Sequence, residues 1–189
     1  MYHHPKPKEE YNPKKRLGHV HVYTGDGKGK TTAALGLMLR AAGHGYRSVM
    51  VRFLRGYRDV GEIKMLERFS DLMEIMPFAH EERVNFESPH PIDYYLAQQA
   101  MDYARKVMRE ARPDILVLDE INPAVHFGLI DYRELLDFLD NRHQQTEIVL
   151  TGRFAHPEIL NYADLVTVMH GTKHYFDREG FSPRYGIEH

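Results

Sequence analysis

Residues 24–32 read Thr-Gly-Asp-Gly-Lys-Gly-Lys-Thr-Thr. Three glycines, two lysines and a row of hydroxyls in so short a run suit one chemistry, the holding of phosphate groups. A glycine-rich turn can aim successive backbone N–H groups at one spot, and a helix opening behind it adds partial positive charge there. Lys30 supplies a full charge and the Thr31 hydroxyl can ligate Mg²⁺. The usual spacing is G-x-x-x-x-G-K-[ST]. Here Thr24 stands at the first glycine position, so the loop is a variant.

A second group of candidates lies at Ile115-Leu-Val-Leu-Asp119-Glu120, an apolar run ending in two carboxylates. If that run is a buried strand ending beside the loop, Asp119 and Glu120 stand where a Mg²⁺ ligand belongs, directly or through water. Thr151-Gly-Arg153 closes the next apolar run, which should bring Arg153 to the same sheet edge. The expected nucleotide contacts are therefore Thr24, Gly25, Asp26, Gly27, Lys28, Gly29, Lys30, Thr31, Thr32 and Arg153. Lys30, Thr31 and Glu120 are expected to carry catalysis, and Thr31, Glu120 and Asp119 to hold the metal.

Those residues need elements to position them, and the apolar pattern supplies them. Strands are expected at His19–Thr24, Ser48–Leu54, Leu72–Phe78, Ile115–Asp119, Glu147–Thr151 and Leu165–Met169, with the composition of strands buried on both faces. Helices are expected at Lys30–Ala42, Gly61–Phe69, Pro91–Ala111, Tyr132–Asn141 and Pro157–Tyr162. In the longest, Tyr95, Gln99, Tyr103, Val107 and Ala111 recur at helical spacing as its apolar stripe. Strands alternating with helices imply an α/β fold, a mostly parallel sheet with helices on both faces. Residues 19–189 read as a single domain. Residues 1–18 read as a flexible basic arm, five cations against Glu9 and Glu10, that either frays or closes over an anionic ligand.

Composition narrows the function classes. The chain has 189 residues, a formal net charge of −2 and no cysteine. Disulfides, thiolate zinc sites and cysteine nucleophiles are thereby excluded, and any coupled redox step must draw electrons from elsewhere. Near-neutral charge gives no general reason to bind nucleic acid. Mean hydropathy is −0.53 and no run approaches the about 20 apolar residues that span a bilayer, so a cytoplasmic protein without a membrane partner is expected. His19 and His21 share a strand face but show no third metal ligand nearby. The residues alone stop at a Mg²⁺-dependent P-loop nucleotide protein.

A resemblance goes further. The chain resembles the P-loop ATP:corrinoid adenosyltransferases, the cob(I)yrinic acid a,c-diamide or cob(I)alamin adenosyltransferase family. The matching runs are 23–37 (YTGDGKGKTTAALGL), 40–46 (RAAGHGY), 51–57 (VRFLRGY), 118–131 (LDEINPAVHFGLID), 150–154 (LTGRF), 163–170 (ADLVTVMH), Lys173-His174 and Gly186-Ile-Glu188. What the resemblance implies is a RecA-like P-loop NTPase fold, a homodimer, and a role in cobalamin biosynthesis. The implied reaction is attack of corrinoid Co(I) on the 5′-carbon of ATP, with the whole tripolyphosphate leaving. ATP lies reversed relative to ordinary P-loop enzymes, an external flavin-type reductase supplies Co(I), and apolar groups displace cobalt's lower ligand. The chain departs from the family in three ways. Arg52 stands where Gln is usual, Arg55 replaces Lys, and the Phe-x-Trp often found in the corrinoid-facing region is absent. Phe78, His80 and Phe86 are the candidates to face the corrinoid instead. Two other readings compete. One is a P-loop ATPase or small-molecule kinase in which Glu120 activates water or a hydroxyl, and the other is a binding module without turnover.

Overall fold

Alternation along the apolar runs decides which layer each side chain joins. In the strand Ile115–Asp119, Ile115 and Val117 face one helical layer while Leu116 and Leu118 face the other. Asp119 continues the first set. The computed structural model describes residues 17–54, 60–66, 71–80, 84–175 and 184–188; the arm 1–16, Arg55 and residues 67–69 lie outside the described residues.

Six strands form one sheet: β1 (Val20–Thr24), β2 (Ser48–Phe53), β3 (Met73–Phe78), β4 (Ile115–Asp119), β5 (Glu147–Thr151) and β6 (Leu165–Val168). Their order is β3-β2-β4-β5-β1-β6, and each described pairing is parallel. The helices are α1 (Lys30–Ala42), α2 (Gly61–Leu66), α3 (Pro91–Glu110), α4 (Ile121–His126), α5 (Tyr132–Asp140) and α6 (Pro157–Tyr162). On one face, Ala34, Met38 and Ala41 of α1 pack on Met50, Ile75, Val117 and Val149. On the other, Ala97 and Met101 of α3, Ile121 of α4, Leu135 of α5 and Ile159 of α6 cover Val22, Val51, Leu118 and Leu150. Both faces of the sheet from β2 to β1 are thus shielded from water, as its backbone and apolar side chains require. Pro77 is tolerated in β3 because that strand lies at an edge, where a missing N–H removes no ladder bond on its outer side.

Three expectations need correcting. The buried stripe of α3 is Asp93, Ala97, Ala100, Met101, Ala104, Val107 and Met108, whereas Tyr95 is 59% exposed. Small alanines face inward because they let the helix approach the sheet closely, which outweighs the greater apolarity of the tyrosines. β6 is exposed along its whole length among the described residues rather than buried on both faces. Finally, α4 forms directly after Asp119, where no helix is expected from the sequence. It has only six residues, and its Pro123 sits in the first turn, where a missing N–H costs nothing.

One carboxylate fixes where the chain enters the sheet. The Glu147 carboxylate takes the amides of Gly18 and His19 at 2.8 and 2.9 Å and the His21 Nε2 at 2.7 Å. Burial pushes this carboxyl up, but the His21 bond and the two amides outweigh it and hold Glu147 below the ordinary carboxylate value. A depressed folded pKa means stability that is present above the unfolded value of 4.5 and lost as pH falls through the folded one. Glu147→Gln should therefore lower stability at pH 7 by about 1–2 kcal/mol, since bonds to charged groups exceed neutral ones. In denaturation followed across pH, the gap between variant and wild type should narrow as pH falls below 4.5 and through the lowered folded value. A gap that stays constant over that range would contradict the assignment.

Candidate functional site

The glycine-rich run folds as a turn between β1 and α1, so the residues singled out by type are also brought together in space. Gly29 caps α1 with φ 121°, no side chain caps the helix, and its first turn holds no acidic residue. Thirteen residues of aligned peptide dipole therefore end at an N-terminus left for an anion. The loop is pressed against the end of β6. Gly27 N–H donates to the Met169 carbonyl at 2.7 Å. A Cβ at Gly25, whose φ is +97°, would lie 2.4 Å from that carbonyl oxygen. Only glycine fits there.

Three cations converge on this loop, each donating to a neutral backbone carbonyl. Lys30 Nζ reaches the carbonyls of Gly25 and Gly27 at 2.8 and 2.7 Å. Lys28 Nζ reaches the Ile187 carbonyl at 3.1 Å, and an Arg153 guanidinium nitrogen reaches that of Asp26 at 3.1 Å. The C-terminal motif Gly186–Glu188 is thus drawn to the loop. Arg184 and Tyr175 bind the Glu188 carboxylate and pull it down to about 2. The Asp26 carboxylate turns away to Gly171, whose N–H holds its pKa below the ordinary range. Thr24 Oγ1 accepts from the Ala155 amide at 3.4 Å, and Thr32 is exposed on α1.

Beneath the loop lies a row of side chains on the α1 face of the sheet. Arg52 pairs in register with Asp119, and Tyr23 with Thr151. Asp119 is fully buried. Its Oδ1 accepts from the Thr31 hydroxyl at 2.9 Å and the Thr151 hydroxyl at 2.7 Å, and its Oδ2 from Arg52 Nε at 3.2 Å. Thr151 Oγ1 in turn accepts the Glu120 amide at 3.0 Å. Asp119 thus ties the start of α1 to three strands.

Glu120 caps α4 in a left-handed conformation, φ 62°. Leu54 and Phe154, at φ 60° and 61°, follow β2 and β5 at the same sheet edge. Three such residues at one edge, each costing about 1–3 kcal/mol, are what a functional rim accumulates. No group of three His, Asp or Glu side chains suited to a metal exists among the described residues. Mg²⁺ asks for less, one or two protein oxygens with the rest from phosphates and water. Thr31, whose proton is committed to Asp119, and the half-buried Glu120 fit that demand.

The proposed corrinoid residues divide. Phe78 packs on the core and on the Tyr103 ring, and His80 Nε2 binds Asp93 at 2.9 Å in the first turn of α3. Phe86 instead joins a ring group that sequence reasoning missed. It stacks on Phe127 at 4.1 Å, while the exposed rings of His126 and Phe154 stack at 4.6 Å beside them. Arg52 was legible as an oddity of type, and Thr151 as part of a motif, but their bond to Asp119 required the strand register.

Comparison with known proteins finds one family model and several relatives. The sequence model of a family described as ATP:corrinoid adenosyltransferase BtuR/CobO/CobP matches residues 16–189. A corrinoid adenosyltransferase of Sinorhizobium sp is 35% identical over 90% of this chain and 80% of its own. That of Escherichia coli K12 is 32% identical over 91% and 86%, and a Pseudomonas aeruginosa relative of the same name is 32% identical over 88% and 81%.

The close packing at Gly25 is testable. Gly25→Ala should destabilise the protein by about 1–3 kcal/mol, because a positive φ and a backbone clash combine, and should weaken ATP binding in calorimetry. An unchanged melting curve together with unchanged ATP affinity would contradict the described loop.

Proposed function

The chain belongs to the ATP:corrinoid adenosyltransferase family, and we propose that it transfers the 5′-deoxyadenosyl group of ATP to the Co(I) of a corrinoid, releasing tripolyphosphate intact. The observation that carries this reading is the convergence of Lys28, Lys30 and Arg153 on one loop, each donating to a backbone carbonyl. A triphosphate offers those donors charged acceptors in place of neutral ones, and charge-assisted bonds are roughly twice as strong.

Co(I) brings its own electron pair and no proton, so attack on C5′ needs no general base. The C5′–O bond breaks and its electrons pass to the departing triphosphate. The protein's work is to orient the substrates and to stabilise charge building on the phosphate oxygens. Lys30, Lys28 and the α1 N-terminus do this at the loop end. Thr31 and Glu120 would hold Mg²⁺, which when bound neutralises part of the triphosphate charge; Asp119 orients Thr31. A reversed ATP, leaving group in the loop and ribose outward, is the orientation that presents C5′ to cobalt.

The corrinoid is proposed to lie toward the ring group of Phe86, Phe127, His126 and Phe154, an apolar exposed surface close to Arg153. Phe78, which packs on Tyr103, and His80, which binds Asp93, are proposed as further contacts of the same substrate. With no cysteine in the chain, the electrons for Co(I) are proposed to come from an external reductase. A homodimer and a cytoplasmic role in cobalamin formation complete the proposal. No helix among the described residues is long and apolar enough to cross a membrane.

The reading is tested by assaying ATP, Mg²⁺ and chemically reduced corrinoid together and separating the phosphate products. Tripolyphosphate equal in amount to adenosylated corrinoid is expected; ADP with phosphate, formed without corrinoid, would favour the ATPase or kinase instead. Lys30→Ala should lower turnover about 10²–10³-fold, the usual cost of one preorganised donor, with an unchanged circular dichroism spectrum. Near wild-type turnover at saturating ATP would contradict the role given to Lys30.

A further inference from the structure

Arg52 lies where the resembling family usually carries glutamine, and it is buried, with only 3% of its surface exposed. We propose that Arg52 is a built-in cation that satisfies Asp119 and keeps the divalent metal ion off that carboxylate, leaving Thr31 and Glu120 to hold it. The proposal rests on the metal assignment made under Proposed function.

Both oxygens of Asp119 are already engaged. Its Oδ1 already accepts from two threonine hydroxyls, and its Oδ2 faces the Arg52 Nε at 3.2 Å. The guanidinium is itself held in place from the far side, where one of its terminal nitrogens donates to Glu62 Oε1 at 2.7 Å and touches Met50 Sδ at 3.7 Å. It cannot swing aside without stripping Glu62 as well. A guanidinium stays charged at every relevant pH, so a metal ion at Oδ2 would face a fixed like charge across one carboxylate. A direct Mg²⁺ bond also demands an oxygen at about 2.0–2.1 Å with near-octahedral directions, which an acceptor already engaged on both oxygens does not offer.

A neutral glutamine at this position could donate a hydrogen bond but could not discharge the carboxylate. With Arg52 present the buried aspartate is neutralised before any ligand arrives, as a fully desolvated charge must be. Asp119 then acts on the metal only through Thr31, by accepting its hydroxyl hydrogen bond and so turning the hydroxyl's lone pairs outward. Arg52 is in this sense a positioning residue that decides which carboxylate, Asp119 or Glu120, meets the metal.

The test uses Mn²⁺, followed by the electron paramagnetic resonance signal of the free ion. Without nucleotide, Arg52→Gln should bind Mn²⁺ at least about tenfold more tightly than wild type, while Arg52→Lys should match wild type. Should Arg52→Gln fail to fold, the double variant Arg52→Gln/Asp119→Asn removes both buried charges together and keeps an oxygen for the two threonines. Its affinity for Mn²⁺ with ATP should fall less than that of Glu120→Gln, which loses a direct ligand and at least about tenfold in affinity. A folded Arg52→Gln protein without gain, or a double variant as impaired as Glu120→Gln, would overturn the proposal while leaving adenosyl transfer standing. A wild-type protein that binds no Mn²⁺ with ATP would remove the metal assignment itself, and this proposal with it.

Discussion

A carboxylate with no access to water must be satisfied from within, and here that constraint falls on Asp119. Burial strengthens each of its hydrogen bonds and makes any vacancy costly, so its partners are held to a narrow set of positions. Those partners belong to different parts of the chain: Thr31 lies in the first turn of α1, Thr151 ends β5, and Arg52 is the next-to-last residue of β2. One side chain therefore fixes how the helix behind the phosphate loop sits on the sheet. β5 lies between β4 and β1 in the sheet, so Asp119 and the loop-bearing strand are not neighbours. The Thr31 bond spans that gap.

The edge built around this carboxylate is strained and crowded where the core is not. Leu54 and Glu120 adopt left-handed backbone directly after β2 and β4, Phe154 does so three residues after β5, and the loop glycines accept contacts a side chain would forbid. The packed layers on both faces supply the rigidity that such conformations require. The same crowding brings cations from distant segments onto one loop: Lys28 and Lys30 from within it, Arg153 from beyond β5. These cations donate to backbone carbonyl oxygens, neutral acceptors that a polyanion would replace with charged ones.

Much of this was written in the sequence because chemistry and periodicity coincided there. α1 and β4 run from Lys30 to Ala42 and from Ile115 to Asp119, the limits read from composition, since glycine, lysine and aspartate punctuate them sharply. The loop residues and Arg153 could be grouped because strand ends of a parallel sheet share an edge. What escaped has a physical reason in most cases. The inward face of α3 is carried by alanines, whose value is their smallness; β6 is apolar yet exposed, and none of its residues joins either packed layer among the described residues; α4 is too short to show a period. The ring group of Phe86, His126, Phe127 and Phe154 assembles from three separate segments, and nothing local marks those residues as neighbours. Arg52 was conspicuous by type, but only the register of β2 against β4 showed which charge it meets.

The central claim is that the loop holds a leaving group, so that the bond broken lies between C5′ and its oxygen and not between oxygen and phosphorus. ATP carrying ¹⁸O at the 5′ bridging position distinguishes the two directly. After turnover with reduced corrinoid, mass spectrometry should find the label in the tripolyphosphate and none in the adenosyl product. Label retained on the nucleoside would mean phosphoryl transfer, and would contradict the account.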